Sequence, residues 1–257
     1  MEYKADIKIY GIEERKDNIL KNKEILGLKD TDVFILNKVD RTTPQDKFPY
    51  KMCKRMLLSP TEEGVTHRLV LQDDVELSPN FKEYLNKIIN THPNDIIQLL
   101  ALDFRTKNEV GDSLTTPYIE VGQFICGCAM LFPVKYLEGM FNWIENKYPE
   151  IYLCKPHEDI AFKFYSLHHN IKYITTVPSI IQHIGDISTC CNYKQPQRTA
   201  YFGEWEKADW DSTETHKPYV NFKEFKEWIE KEQELKSKMW TNEIINSHKK
   251  FLLGDME

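Results

Sequence analysis

The residues best suited to chemistry in this sequence are acids that directly follow an apolar run. Residues 68–72 form a near-continuous apolar run, typical of a strand buried on both faces of a parallel sheet, and Asp73, Asp74 and Glu76 come next. Such sheets bind ligands at the carboxyl ends of their strands, and hard divalent cations combine carboxylates with phosphate oxygens. The pattern therefore indicates a cation and phosphate site. The alternative is that Asp73 or Asp74 only caps the following turn.

A second polar group, His157, Glu158 and Asp159, lies directly ahead of the helical apolar pattern of residues 160–165. An acid at the start of a helix is stabilised by the helix dipole, so capping is one sufficient explanation. A general base requires the same exposed position, with a pKa raised by a neighbouring acid or by burial. The sequence leaves both functions open.

A third group, Gln182, His183 and Gly185, lies at the end of the apolar run 180–184. A single histidine after a strand is more often a hydrogen-bonding residue than a ligand, but neutral imidazole also ligates cations of the Mn²⁺ type. Glycine allows the backbone to approach a diphosphate closely. We expect Asp74 and His183 to lie at exposed strand ends.

The order of the predicted elements indicates an α/β fold, because strand and helix patterns alternate in the rhythm of a mostly parallel sheet flanked by helices. The predicted strands are residues 6–12, 32–36, 68–72, 95–102, 173–177 and 180–185, and the predicted helices are 13–26, 51–58, 78–89, 134–148 and 159–168. Residues 193–219 are rich in aromatic side chains. Trp205 and Trp210 in this segment either stack on sugars or pack a C-terminal amphipathic helix that begins near residue 221.

Composition restricts the class of partner and the compartment. The 34 basic and 40 acidic residues give a net charge of −6, which argues against a nucleic-acid footprint over the whole surface. Basic clusters at residues 47–55 and 194–198 keep a local anionic contact open. None of the six cysteines forms a C-x-x-C pair, so a zinc ribbon is excluded. Without a membrane-length apolar run or a signal-peptide pattern, we expect a cytoplasmic protein.

Taken together, the strand-D-D-x, E-D and Q-H-x-G boxes resemble those of the GT-A class of nucleotide-sugar-dependent glycosyltransferases, particularly family 25. The resemblance spans about residues 6–188. It implies a GT-A-like, Rossmann-like and mostly parallel sheet with a C-terminal helical extension. Residues 1–190 would form the catalytic domain, and 191–257 an acceptor-side segment and amphipathic helix packed on the same domain.

The resemblance also assigns residues to the donor. Asp74 matches the metal-binding acid of the family's D-x-D box, and His183 matches the histidine that completes the shell of Mn²⁺ or Mg²⁺. Asp73 would face the sugar or the ribose. Gln72 stands where the family usually has a first acid, and this departure would weaken metal binding or make the metal less important.

Tyr10 and Gly11, at the end of the first strand, are expected to frame the nucleotide, and Gln72 is assigned with them and Asp73 to binding of the donor. On the acceptor side, Glu158 or Asp159 matches the catalytic acid pair, with Asp159 favoured as the base. A base acting on the acceptor hydroxyl gives an inverting transfer, while a retaining course stays open.

The implied function is the transfer of a sugar from a nucleoside-diphosphate sugar to a hydroxyl of a glycan or lipopolysaccharide. One alternative is transfer to hydroxylated DNA bases, as in phage or viral DNA modification. Another is a catalytically silent domain that binds nucleotide sugars or carbohydrates. A sugar-1-phosphate nucleotidyltransferase is disfavoured, because residues 11–15 do not form the Gly-rich basic loop that it needs.

Overall fold

The computed structural model describes residues 3–36, 48–101, 116–120, 127–151, 158–185 and 203–216. Within them the chain forms a seven-stranded sheet and a two-stranded sheet, with helices packed on the larger one. The strands are β1 (Ala5–Ile12), β2 (Val33–Leu36), β3 (His67–Gln72), β4 (Val75–Leu77), β5 (Ile96–Gln98), β6 (Tyr118–Glu120), β7 (Ala129–Pro133), β8 (Tyr173–Thr176) and β9 (Ile181–His183). The helices are α1 (Lys16–Leu26), α2 (Phe48–Leu57), α3 (Phe81–Thr91), α4 (Leu137–Ile151) and α5 (Glu158–His168).

The large sheet has the strand order β2-β1-β3-β7-β5-β8-β6. β1 runs parallel to both β2 and β3, and β5 runs parallel to β8. β7 lies antiparallel between β3 and β5, and β6 lies antiparallel to β8. Five strands therefore point the same way. The predicted mostly parallel sheet with flanking helices is confirmed, and its arrangement is consistent with a GT-A-like fold. The expected C-terminal helical extension lies outside the described residues.

β3 contributes to the core on both faces of the sheet, which explains its near-continuous apolar sequence. Leu69 and Leu71 are fully buried in one cluster with Ile88 of α3. Val70 points to the other cluster, where it is buried with Phe162 of α5. Each such side chain contributes roughly 1.5–3 kcal/mol by leaving water. This packing holds the end of β3, and the acids that follow it, in a fixed position.

α1 and α3 show how local sequence sets the ends of the helices. Gly27 ends α1 with a left-handed φ of 66°, as its position in the sequence predicted. α3 begins at Phe81, after Asn80 with its φ of 56°, three residues later than the predicted start at residue 78.

The described part of the C-terminal segment packs onto the sheet domain. Trp210 is 4% exposed and stacks near Tyr84, with ring centroids 5.2 Å apart. Its indole N–H donates to the carbonyl of Trp205, and the indole N–H of Trp205 donates to the carbonyl of Ser179. The burial of Trp210 against Tyr84 favours a packing function over sugar stacking, but the C-terminal helix that it was predicted to pack lies outside the described residues.

The helices found in the described ranges are too short and too polar to cross a bilayer.

Candidate active site

Asp73 emerges at the end of β3 directly beside the end of β1. The two strands are parallel neighbours with Tyr10 opposite Gln72, so Gly11 and Asp73 come next to each other. The backbone N–H of Ile12 donates to Oδ2 of Asp73 at 2.9 Å. A Cβ on Gly11 would lie 2.1 Å from the Cβ of Asp73. The Asp73 side chain therefore fills the space that a side chain at residue 11 would need.

Asp74 and His183 are in contact, although they were predicted from separate boxes. β4 pairs antiparallel with β9, with Val75 opposite His183, and the N–H of Ile184 donates to the Asp74 carbonyl. Nε2 of His183 then lies 3.2 Å from Oδ2 of Asp74. The side chains are only 4% and 12% exposed. The expectation of exposed strand ends is wrong, because the pairing of β4 with β9 brings His183 against Asp74, which Arg15 also contacts.

Arg15, to which no sequence pattern assigned a function, completes this cluster. It ends the 3₁₀ turn Glu13–Arg15 that follows β1. Its Nη1 lies 3.0 Å from Oδ1 of Asp73 and 2.6 Å from Oδ2 of Asp74, so one guanidinium group bridges both carboxylates. Its side chain is 18% exposed. A permanent positive charge is therefore held between the two acids.

The charges of the cluster shift one another's pKa values. Burial raises the pKa of Asp73, and the neighbouring Asp74 carboxylate raises it further, against the Ile12 N–H and Arg15. Burial acts in the same direction on Asp74, but His183 and Arg15 outweigh it and lower the pKa of Asp74. Burial opposes the charge of Arg15, yet Asp74 and Asp73 raise its pKa. Asp74 is thus the acid whose ionised form the cluster stabilises most.

Two buried polar atoms of the cluster have no hydrogen-bond partner within the described ranges. They are Oδ1 of Asp74 and Nδ1 of His183. Buried polar atoms are normally partnered, so these atoms have unused bonding capacity. The 3.2 Å between Nε2 of His183 and Oδ2 of Asp74 is close to the separation of adjacent ligands on an octahedral cation, about 3 Å for bonds of about 2.1 Å. The pair fits two neighbouring positions in such a shell.

A cation held there would still need ligands from outside the protein. Among the described residues, no group of three or more His, Cys, Asp or Glu side chains is arranged to hold a metal. One carboxylate and one imidazole match a cation whose remaining ligands are substrate phosphate oxygens and water. These two protein ligands therefore fit a metal that binds together with a phosphorylated ligand. They do not fit a structural metal site, in which the protein supplies all the ligands.

Gly185 forms the wall of the cluster. A Cβ at this position would lie 2.7 Å from Oδ2 of Asp74 and 3.0 Å from Nη2 of Arg15. Both distances are shorter than ordinary contacts, so a side chain here would displace the carboxylate or the guanidinium. The glycine of the Q-H-x-G box thus lets Asp74 and Arg15 pack closely against the backbone.

Gln72 and Tyr10 lie on the side of the cluster that faces the core. Tyr10 is 5% exposed, and its hydroxyl accepts a hydrogen bond of 2.8 Å from the amide of Gln72. Gln72, which stands where an acid was expected from the resemblance, therefore bonds to a phenol. The predicted contacts of Tyr10, Gly11 and Gln72 with a nucleotide stay predictions.

Two asparagines of α1 hold the loop that carries the acids, and the sequence analysis missed them. The amide of Asn18 donates to the carbonyls of Asp73 and Val75, at 2.6 and 3.0 Å. The amide of Asn22, which is 1% exposed, donates to the same Val75 carbonyl at 2.9 Å. The available signal was their i, i+4 spacing beside Ile19, which places polar groups on the inward face of the helix.

Asp159 lies at the same edge of the large sheet as the acid cluster, but near β8, in the other half of that sheet. α5 runs back along β8, and β8 points in the same direction as β3, so the first turn of α5 lies where these strands end. β8 is three strands from β3, which corresponds to roughly 14 Å. Asp159 is half-buried. The side chain of Glu158, and all of His157, lie outside the described residues.

A large cavity of about 1350 Å³ lies at the opposite edge, where β1 begins. Several of its charged side chains pair with one another. Lys8 pairs with Asp32 at 2.5 Å, and Lys29 pairs with Glu62 at 2.6 Å. This cavity is separate from the cluster, and its size alone assigns it no function.

Comparison with known proteins adds structural similarities at low identity. No family model matches the chain, and no curated protein matches it. A glycosyltransferase involved in glycosylation of the major capsid of PBCV-1 is 14% identical, with a TM-score of 0.34 over 72% of this chain and 85% of that one. A Drosophila β-1,4-galactosyltransferase 7 variant, in complex with manganese, UDP-Gal and xylobiose, is 10% identical, with a TM-score of 0.37 over 84% and 82%.

A third similar structure is the glycosyltransferase GlyE of Streptococcus pneumoniae. It is 12% identical, with a TM-score of 0.40 over 90% of this chain and 64% of that one. Similarities at this level carry no argument about activity, and they do not confirm the relationship to family 25. These three similar structures are all glycosyltransferases.

Proposed function

We propose that this chain is a glycosyltransferase that moves a sugar from a nucleoside-diphosphate sugar to a hydroxyl of a saccharide. The observation that carries the proposal is the contact of Asp74 with His183 and Arg15 at the carboxyl ends of β1 and β3. Open α/β sheets bind their ligands at this edge. A buried acid, an imidazole and a guanidinium gathered there suit an anionic, phosphorylated donor.

Asp74 and His183 are the residues that would hold Mn²⁺ or Mg²⁺, together with oxygens of the diphosphate. The cation would neutralise the negative charge that develops on the departing diphosphate. The unpartnered Oδ1 of Asp74 and the depressed pKa of this acid support the assignment, since a metal ligand must be ionised.

Asp73 would orient the donor. Its carboxylate is fixed by the Ile12 N–H and by Arg15, and a carboxylate has about four acceptor positions, so it can still accept from a ribose or sugar hydroxyl. Gly11 and Gly185 carry no side chain that would displace the carboxylates of Asp73 and Asp74.

Asp159 would act on the acceptor. The acceptor oxygen attacks the anomeric carbon, its proton passes to the Asp159 carboxylate, and the bond from that carbon to the diphosphate oxygen breaks. A single displacement of this kind inverts the anomeric configuration. The half-buried position of Asp159 at the start of α5 supports this function, with Glu158 as the runner-up.

The other functions considered have weaker support. A silent binding domain would use the same cluster to bind a nucleotide sugar without turnover. For a DNA acceptor, the basic cluster at residues 47–55 would have to face the ligand. Lys54, however, is paired with Glu145, and Arg55 lies over the ring of Phe34, with 5.7 Å between the guanidinium carbon and the ring centroid. No observation on the described residues favours DNA.

The test is a panel of nucleotide sugars assayed for release of nucleoside diphosphate, with Mn²⁺ and with a chelator. We expect slow Mn²⁺-dependent hydrolysis of one donor, lowered roughly 100-fold or more in Asp74→Asn and His183→Gln. Glu76→Gln is the matched control, because Glu76 is a half-exposed acid of the same box. Binding without turnover of any donor would identify a binding domain, and equal hydrolysis in all variants would remove the cluster from the mechanism.

A further inference from the structure

Arg15 bonds to the same Asp74 carboxylate that a cation would use. Oδ2 of Asp74 lies 2.6 Å from Nη1 of Arg15 and 3.2 Å from Nε2 of His183. The same guanidinium nitrogen lies 3.0 Å from Asp73. The guanidinium therefore already neutralises part of the charge that would attract a divalent ion.

Two positive groups cannot share this carboxylate without cost. A cation bound to either oxygen of the Asp74 carboxylate would come close to the guanidinium, and the two charges would repel each other strongly in so enclosed a site. Asp74 and His183 are almost fully buried, so solvent screens the repulsion poorly. Metal binding therefore favours a state in which the guanidinium has moved away from Asp74.

A diphosphate offers the guanidinium an alternative partner. The planar fork of an arginine binds phosphate oxygens as well as it binds carboxylates. Arg15 is 18% exposed and extends from the turn between β1 and α1, at the edge where a donor would bind. Donor phosphates would thus accept the group that the metal displaces.

We propose that Arg15 is a resident counter-ion of the Asp73–Asp74 pair that competes with the divalent cation for Asp74 and thereby makes metal binding depend on the nucleotide. This inference rests on the proposed function, in which Asp74 and His183 hold the metal. By linkage, a nucleotide that draws Arg15 away strengthens metal binding, and the metal strengthens nucleotide binding by the same factor. The chain would bind free Mn²⁺ weakly and Mn²⁺ with a nucleoside diphosphate tightly.

The experiment is titration of Mn²⁺ followed by electron paramagnetic resonance, which counts the free ion directly and requires no activity. Wild type, Arg15→Gln and Lys16→Gln are titrated with Mn²⁺ alone, then with UDP or GDP present. Lys16 is the matched control, because it is an exposed neighbouring cation that pairs with Glu13 and not with the acid pair. We expect Arg15→Gln to bind Mn²⁺ alone at least 10-fold more tightly than wild type, with Lys16→Gln unchanged within 2-fold.

The nucleotide should also enhance the Mn²⁺ affinity of Arg15→Gln less than that of wild type. An Arg15→Gln variant that binds Mn²⁺ alone no more tightly than wild type overturns the inference. The inference is also overturned if the double variant Arg15→Gln, Asp74→Asn keeps the gain in Mn²⁺ affinity, because the ion then binds elsewhere. If Arg15→Gln does not fold, Arg15→Lys serves instead, since a lysine keeps the charge but cannot bridge both acids in the same way, and a smaller gain is expected.

The outcomes separate this inference from the proposed function. Tighter Mn²⁺ binding in Arg15→Gln, without hydrolysis of any donor by wild type, would support the competition and reject the transferase. Hydrolysis that depends on Asp74, with unchanged Mn²⁺ affinity in Arg15→Gln, would support the transferase and reject the competition.

Discussion

His183 reaches Asp74 because it stands opposite Val75 in the antiparallel pair of β4 and β9. This short two-stranded sheet therefore fixes the distance between the two side chains assigned to the cation. Val75 and Ile181 are fully buried in the main core, so the pair is anchored to the domain and does not stand alone. The geometry of the site is consequently a property of the folded domain and not of a local loop.

Gly185→Ala should damage the site with little effect on the rest of the fold. The new Cβ would lie 2.7 Å from Oδ2 of Asp74, so the carboxylate must move. We expect the affinity for Mn²⁺ with nucleoside diphosphate to fall about 10-fold, measured by calorimetry. Gly139→Ala in α4 is the control, since its Cβ meets only an ordinary contact at 3.7 Å and alanine favours a helix. Unchanged affinity in Gly185→Ala would show that this space is not used.

Asp159→Asn should separate transfer from donor binding. The amide cannot take the proton of the acceptor hydroxyl, so transfer should fall about 10²- to 10⁴-fold while nucleotide affinity stays unchanged. Product formation with a saccharide acceptor is the measurement, and Glu158→Gln is the parallel variant. Full transfer in Asp159→Asn removes Asp159 from the mechanism, and a loss confined to Glu158→Gln makes Glu158 the base.

His67 should make the fold sensitive to mild acid. It is 1% exposed, with Nε2 3.1 Å from the carbonyl of Pro93, and burial lowers its pKa to about 4. Between pH 6.5 and 4 the unfolded chain takes up a proton that the folded protein does not. The free energy of unfolding should therefore fall as the pH falls through this window, by up to about 3 kcal/mol, and be fully retained above it.

Chemical denaturation at several pH values checks this. His67→Gln keeps an N–H for the Pro93 carbonyl but does not titrate, so its stability should depend less on pH between 6.5 and 5. His168→Gln is the control, because His168 is exposed, and it should keep most of the wild-type slope. An unchanged slope in His67→Gln would contradict the assignment.

The position of the acids at the sheet edge could be predicted from the sequence, but the arginine beside them could not. Asp73 and Asp74 follow a run whose apolar pattern identifies a doubly buried strand, so their place at the sheet edge is a local consequence. Arg15 reaches them only because β1 pairs with β3 and a 3₁₀ turn follows β1. That relationship depends on tertiary structure, and no local pattern marks one arginine among its charged neighbours.

The same limit explains other differences between prediction and structure. The reversed direction of β7 cannot be inferred from an apolar run, because parallel and antiparallel neighbours bury the same side chains. The burial of His183 depends on its pairing with β4, a strand distant in the sequence. Trp210 was ambiguous for a related reason, since an aromatic side chain suits both a sugar and a core.

The central claim is that Asp74 and His183 hold one divalent cation, and a double-variant cycle on nucleoside diphosphate affinity tests it most directly. Calorimetry with and without Mn²⁺ on Asp74→Asn, His183→Gln and the double variant gives the Mn²⁺-dependent part of the affinity. We predict that each single variant loses nearly all of this part and that the double variant loses no more, because the ligands of one ion act together. Losses that simply add, or wild-type Mn²⁺ dependence in either single variant, would contradict the account.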